Sequence, residues 1–166
     1  TLRAVAGTGY RAPSLFERYS TYGDPALQPE TSESYEIALE KSFGDIGHIE
    51  ATVFYTEIED LIDFDLDTFT YGQTQGLNTT QGIELAGTYA LTDRVTLNGN
   101  YTYTDAETDD VRNERVPRHD FALGAEADLS DKWSATGEIR RVADTKPSDP
   151  SDPGKVGDYT LVNLGV

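Results

Sequence analysis

Residues 7–36 read GTGYRAPSLFERYSTYGDPALQPETSESYE, and the reading of this stretch decides the fold. The chain arrives through an apolar run, Leu2 to Ala6, passes Gly7 and Gly9, crosses Pro13, Pro25 and Pro29, and resumes an alternating pattern after Glu30. Gly7 and Gly9 are expected to loosen the backbone as the first strand ends. Each proline removes a ladder donor and fixes φ, so no sheet is expected to continue between them. Beyond them Tyr35, Ile37 and Leu39 fall on one face, and Ser34, Glu36, Ala38 and Glu40 on the other. The stretch therefore predicts a strand, a loop and a second strand with one oily and one wet side.

The same alternation recurs about eight times downstream, while apolar spacing of three and four is nowhere sustained. The second strand is expected to end at Phe43, with Gly44-Asp45-Ile46-Gly47 as a tight turn whose glycines take positive φ. Ile49, Ala51, Val53 and Tyr55 share the next face. The parity then slips to Ile58, Ile62, Phe64 and Leu66, which a bulge between Glu57 and Asp60 or the end of a membrane band would explain. A long polar excursion is expected over residues 65–80, then a return strand from Gly82 to Leu91. Another turn follows at Thr92-Asp93-Arg94. On the next strand Val95, Leu97, Tyr101 and Tyr103 oppose Thr96, Asn98, Asn100 and Thr102. The acidic residues 105–114 read as a second long loop, closed by Arg115-Val116-Pro117-Arg118-His119. Strands around Phe121 to Leu129 and Trp133 to Ile139 meet at Ser130-Asp131-Lys132. Residues 144–157, with Pro147, Pro150 and Pro153, read as loop before a last strand opening at Tyr159.

All the short turns therefore fall on one side of the sheet and all the long loops on the other. One strand face is wholly polar, where a soluble sandwich would need an apolar inner face. Outer-membrane barrels combine these two features, with lipid on the oily face and a polar lumen. The fold class expected is all-β, an antiparallel transmembrane β-barrel segment of about eight strands. A complete small barrel of eight strands is the alternative.

Composition is consistent with this and narrows function. The 166 residues carry 30 acidic against 13 basic side chains, a net charge of −17 that repels phosphate backbones and argues against nucleic-acid binding. The absence of cysteine removes disulfide frameworks, thiolate nucleophiles and Cys-based zinc sites. No run approaches the roughly 18–20 apolar residues of a spanning helix, whereas barrel strands need only about 10 alternating residues. The ten tyrosines suit strands and the aromatic girdles of membrane barrels.

Gly7-Thr8-Gly9-Tyr10-Arg11-Ala12-Pro13, followed by Pro25-Ala26-Leu27-Gln28-Pro29-Glu30-Thr31-Ser32, resembles a paired signature of the TonB-dependent outer-membrane receptors. The matching motif positions are Gly7, Gly9, Arg11, Ala12, Pro13, Pro25, Leu27, Pro29 and Glu30. The resemblance implies a piece of a barrel of about 22 strands lying toward its C-terminal end, without the plug domain and closing strands. It implies a bacterial outer-membrane location, with membrane lipid and lipopolysaccharide as neighbours and the TonB complex as partner through the missing plug. It implies transport of a small-molecule ligand, a corrinoid or an iron chelate, with no enzymatic activity and no cofactor.

Within the family, the marks are most similar to the cobalamin-transporting members. They are Tyr22 to Pro25, Asp60-Leu61-Ile62-Asp63, Gly82-Ile83-Glu84, and the run from Tyr101 to Ala106. In those members an Arg-Arg segment after the Tyr-x-Tyr strand supplies a ligand contact. Arg115 matches the first arginine, and Val116 stands where the second would be. Ferric siderophore or haem uptake, and a structural or adhesive barrel without transport, are the other readings.

No catalytic constellation is expected. His48 lies beside a turn and His119 at a loop end, each without a spaced partner. Asp60, Asp63, Asp65 and Asp67, and likewise Asp105, Glu107, Asp109 and Asp110, have oxygen-rich spacing that could hold Ca²⁺, but a solvated flank in an acidic protein is the simpler expectation.

Overall fold

A computed structural model describes residues 1–74, 76–147, 151 and 157–166. Strands of 13 to 15 residues predominate because the alternating runs present one wet face throughout and leave no helical stripe to bury. In chain order the elements are β1 (Leu2–Arg11), helix α1 (Leu15–Tyr19), β2 (Glu30–Ser42), a 3₁₀ turn (Gly44–Ile46), β3 (Gly47–Glu59), β4 (Ile62–Asp65), β5 (Thr70–Gln73), β6 (Asn78–Thr92), β7 (Val95–Thr108), β8 (Val111–Arg112), β9 (Pro117–Ser130), β10 (Trp133–Thr145) and β11 (Tyr159–Gly165). The main sheet runs β1-β2-β3-β6-β7-β9-β10-β11, antiparallel throughout, with the short β8 folded back on β7. β4 and β5 form a separate hairpin above it. The eight long strands match the expected alternations.

Register carries each face across the sheet without a break. Ile37 pairs with Val53, Val53 with Ile83 and Ile83 with Tyr103, and one row lower Leu85 pairs with Tyr101 and Tyr101 with Phe121. On the reverse face Thr52 pairs with Glu84, Glu84 with Thr102 and Thr102 with Asp120. The wet face is cross-linked within itself, by Arg140 on Asp120 and by Arg3 on Glu36 at 3.3 Å. The oily face is bare: Ile37, Leu39, Val53, Leu85 and Leu123 are all exposed. A soluble sheet would cover such a face with a second layer. Among the described residues no such layer exists.

Several expectations about boundaries are corrected. β1 does not end near Gly7; it continues to Arg11, which pairs with Glu30. Gly9 is needed inside the ladder, because a Cβ there would stand 2.3 Å from the Ser32 hydroxyl oxygen on the partner strand. The parity slip after Tyr55 is not a bulge. β3 pairs regularly to Glu59, and Asp60 then takes φ 57 and starts a new strand at Ile62. Hairpin β4–β5 begins at Ile62, ahead of the excursion expected at 65–80, and its second strand lies within it; the return strand begins at Asn78, and acidic residues 105–108 remain in β7. A strand of 14 residues is longer than the roughly 9–11 that cross a bilayer, so its acidic end stands clear of the apolar band. The turn at Gly44 to Gly47 forms as expected, with φ 68 and 139 at the two glycines. Of the proline-rich stretch, Pro147 follows the end of β10, whereas Pro150 and Pro153 lie outside the described residues.

A candidate ligand-capture rim at the long-loop end

The five-residue helix α1 exists because Ser14-Leu15-Phe16-Glu17 is a capping box. The Glu17 N–H donates to Ser14 Oγ at 3.2 Å, and the Ser14 N–H donates back to Glu17 Oε2 at 2.6 Å. The other Glu17 oxygen receives Arg11 Nη1 at 2.9 Å. The backbone donor at Ser14, then the Arg11 guanidinium, hold the Glu17 carboxyl down at about 2 from an ordinary 4.5. Arg11 also grips Glu30 with two bonds of 2.6 Å, and Glu30 Oε1 receives the Ile62 N–H at 2.7 Å. Glu30 is only 8% exposed, so these donors are what make its burial tolerable. One carboxylate thus ties β1, β2 and β4 together.

The loop before β2 is seated on hairpin β4–β5. The Gln28 N–H donates to Gln73 Oε1 at 3.1 Å, and Gln73 Nε2 donates to the Gln28 carbonyl at 2.9 Å and the Asp60 carbonyl at 3.0 Å. The Tyr71 N–H donates to the Tyr22 carbonyl at 2.8 Å. Phe64 lies edge-on to Tyr71 at 5.0 Å and to Tyr22 at 6.1 Å, and Phe16 meets Tyr71 at 6.1 Å. Leu27 and Ile62 are buried beneath. Phe16, Tyr19 and Phe69 remain largely exposed on top.

The paired signature is therefore mostly a joint. Gly7 and Gly9 lie within β1; exposed Arg11 pairs with the buried Glu30 carboxylate; Ala12 and Pro13 lead to the cap of α1; Pro25 offers its carbonyl to the Arg18 guanidinium; Leu27 is core; and Pro29 precedes Glu30. Of these, only Leu27 and Glu30 are buried.

The other half of the rim is charged. Asp109 and Asp110 turn the β7–β8 hairpin with φ 49 and 61. Arg118 holds Asp105 at 2.7 Å, Arg112 holds Asp144 at 2.9 Å, and Lys146 Nζ donates to the Arg112 carbonyl at 2.7 Å. A cavity of about 540 Å³ opens among them, lined by Leu61, Asp63, Asn78, Thr108, Glu114 and Lys146 with their neighbours. Asn78 is 9% exposed, and its amide nitrogen has no partner among the described residues. The Thr108 hydroxyl lies 2.6 Å from Asn78 Oδ1 and 2.9 Å from Asn113 Oδ1. A hydroxyl has one proton to give, so one of the two amides must turn its nitrogen toward Thr108. Whichever turns, one polar atom of the Asn78 amide stays unmet.

Arg115, the residue expected to touch ligand, stands at this cavity's margin with φ 61, its N–H bonded to the Lys146 carbonyl at 2.9 Å. Its neighbour Val116 lines the cavity. The acidic runs serve the backbone: Asp65 caps the β4–β5 turn through the Asp67 N–H at 2.8 Å, which lowers its carboxyl, and Asp63 receives the Phe64 N–H. No grouping of three potential ligands with metal-binding geometry occurs among the described residues. His119 bonds Tyr101 Oη through Nδ1 at 2.8 Å and packs on Tyr103, so it has the partner its position in the sequence did not disclose. His48 pairs with Ser42 and Thr88 within the sheet. Sequence reading missed Asn78, whose burial depends on β7 and β8, and it missed α1, which the Ser14-x-x-Glu17 spacing could have signalled.

A sheet oily on one side and cross-linked by polar pairs on the other, with every long loop at one end, defines an outer-membrane type of β-barrel wall. The chain matches the family model described as TonB dependent receptor-like, beta-barrel, over residues 1–166, and it belongs to that family. Similar solved structures include the copper transporter OprC at 19% identity and TM-score 0.76, covering 98% of this chain and 28% of that one. The ferric-catecholate import receptor Fiu from E. coli K12 gives 20% identity and TM-score 0.72 over 98% and 26% of the two chains. The siderophore receptor PirA from Acinetobacter baumannii gives 14% identity and TM-score 0.75 over 98% and 32%. At these identities the likeness is one of fold. The chain spans about a quarter to a third of the length of these structures.

Proposed function

We propose that the chain is a wall segment of an energy-coupled outer-membrane receptor, supplying lipid-facing strands below and ligand-capturing loops above. The rest of that receptor would comprise the remaining barrel strands and a plug acted on by TonB, with lipid and lipopolysaccharide around it. The observation that carries this is the division of labour along one sheet: a bare apolar face, and at one end only a clamped rim with a polar cavity and an unmet buried amide. Placing the oily face in lipid has a direct test. In the full receptor refolded into liposomes, Leu85→Arg should cost about 2–4 kcal/mol near the midplane, and Asn100→Arg on the reverse face far less. Equal costs would reverse the assignment. Leu97 suits this test less well, since it lies two residues from the start of β7 and hence near the interface.

For the ligand, the sequence marks and Arg115 favour a corrinoid. Exposed Phe16, Tyr19 and Phe69 on the clamped loops, and the siderophore receptors among the similar structures, favour a ferric chelate equally. Titration of purified receptor with cyanocobalamin and with a ferric catecholate separates them. Under the corrinoid reading Arg115→Ala weakens cobalamin binding by about tenfold, the equivalent of one charge-assisted hydrogen bond. Unchanged affinity in that variant, or binding of the iron chelate alone, removes it.

A further inference from the structure

On the apolar face, near the short-turn end, the row Ile49–Gly87–Gly99–Leu123 crosses β3, β6, β7 and β9 in register. Its two central positions carry no side chain. On β6 and β7 the rows on either side carry large side chains, Leu85 and Tyr101 toward the loops and Tyr89 and Leu97 toward the turns. The result is an apolar groove of about 530 Å³ in the middle of the sheet, far from both of its edges. Lys41, paired with Ile49 and only one residue from the end of β2, lines its rim.

Lys41 is unusual for its place. The other cation on this face of the strands, Arg141, is matched by Asp158 at 3.1 Å, whereas Lys41 has no acidic partner among the described residues. A cation on a lipid-facing strand costs little near the interface, and its long stem lets the ammonium reach the headgroup level. An ammonium there is a point charge suited to phosphate. The surface of the groove beside it is predominantly apolar, which suits a hydrocarbon chain better than a polar ligand.

We propose that this groove is a site for one anionic phospholipid of the leaflet at the short-turn side, with an acyl chain over Gly87 and Gly99 and the phosphate at Lys41. The inference rests on the outer-membrane reading above. A Cβ at Gly99 would meet Ala122 O at 3.4 Å and Leu123 Cδ1 at 3.5 Å, ordinary contacts, so Gly99→Leu fills the groove without backbone strain.

The test is native mass spectrometry of the full receptor, purified in mild detergent and challenged with equal phosphatidylglycerol and phosphatidylcholine. Wild type should retain phosphatidylglycerol over phosphatidylcholine by about tenfold, as expected for one charge-assisted contact. Lys41→Gln should bring the ratio to about one while Lys41→Arg keeps it, and Gly99→Leu should lower retention of both lipids. Equal retention by wild type, or a preference untouched by both Lys41→Gln and Gly99→Leu, overturns the site. Insertion of wild type into liposomes is scored separately: a receptor that inserts without lipid preference refutes only this site, and one that does not insert refutes the membrane reading itself.

Discussion

The two halves of the long-loop end are built on opposite principles. Around β1, β2 and hairpin β4–β5, loops distant in sequence are locked by a buried carboxylate, reciprocal amide bonds and a cluster of aromatic rings. Around β7, β8 and β10 the loops are held by partly exposed ion pairs and left-handed turns, and they enclose a cavity with an unmet amide. Glu30 shows the contrast with Asp144: one carboxylate is buried and fully used, the other has a side chain 48% exposed. The first half holds its surface in a fixed shape, and the second leaves polar groups of its cavity open to solvent.

The largest expected effect is at the locked half. Glu30→Ala leaves the Ile62 N–H without its acceptor and Arg11 with Glu17 alone, and should cost about 2–4 kcal/mol in lipid refolding of the full receptor. It should also expose β4–β5 to protease. A cost no greater than that of Asp144→Ala would erase the contrast between the halves.

Acid should loosen the same half next. The Glu17 carboxyl is depressed in the fold, so its contribution is fully present above pH 4.5 and is lost as pH falls toward about 2. Hydrogen exchange at Arg18 and Ser20, corrected for intrinsic rates, should show α1 opening across that window, with Glu17→Ala already open at pH 6. Removing a cap of this kind costs about 1 kcal/mol. PH-independent protection would mean the capping box contributes nothing.

At the open half, Asp144→Ala should cost at most about 1 kcal/mol, as partly exposed ion pairs generally do. Asn78→Leu should change stability least of all, within roughly 1 kcal/mol, because it trades an unmet buried amide for an apolar group and leaves the Thr108 hydroxyl free to donate to Asn113. Its effect should appear in ligand affinity. If Asn78→Leu destabilises as strongly as Glu30→Ala, the cavity half is a locked joint too.

Much of this was legible in the residues. Alternation at Tyr35-Ile37-Leu39 and Val95-Leu97-Tyr101-Tyr103 placed the oily face correctly, since strand side chains alternate whatever lies above or below. The spacing of turns placed every long loop at one end, and the Arg11 and Glu30 motifs were visible as a pair. Their bond to each other was not, nor was the Ile62 N–H that completes it, because a hydrogen bond across 32 residues depends on how two loops meet.

The amino-acid sequence by itself determined the strands, their two faces and the family, because these follow from local periodicity and from motifs read along the chain. Only the tertiary structure decided that Gly7 and Gly9 continue a strand, that Gly87 faces Gly99 beside Lys41, and that Asn78 is buried with an unmet polar atom. Each of those depends on register, and register is set by the pairing of strands that the sequence keeps apart.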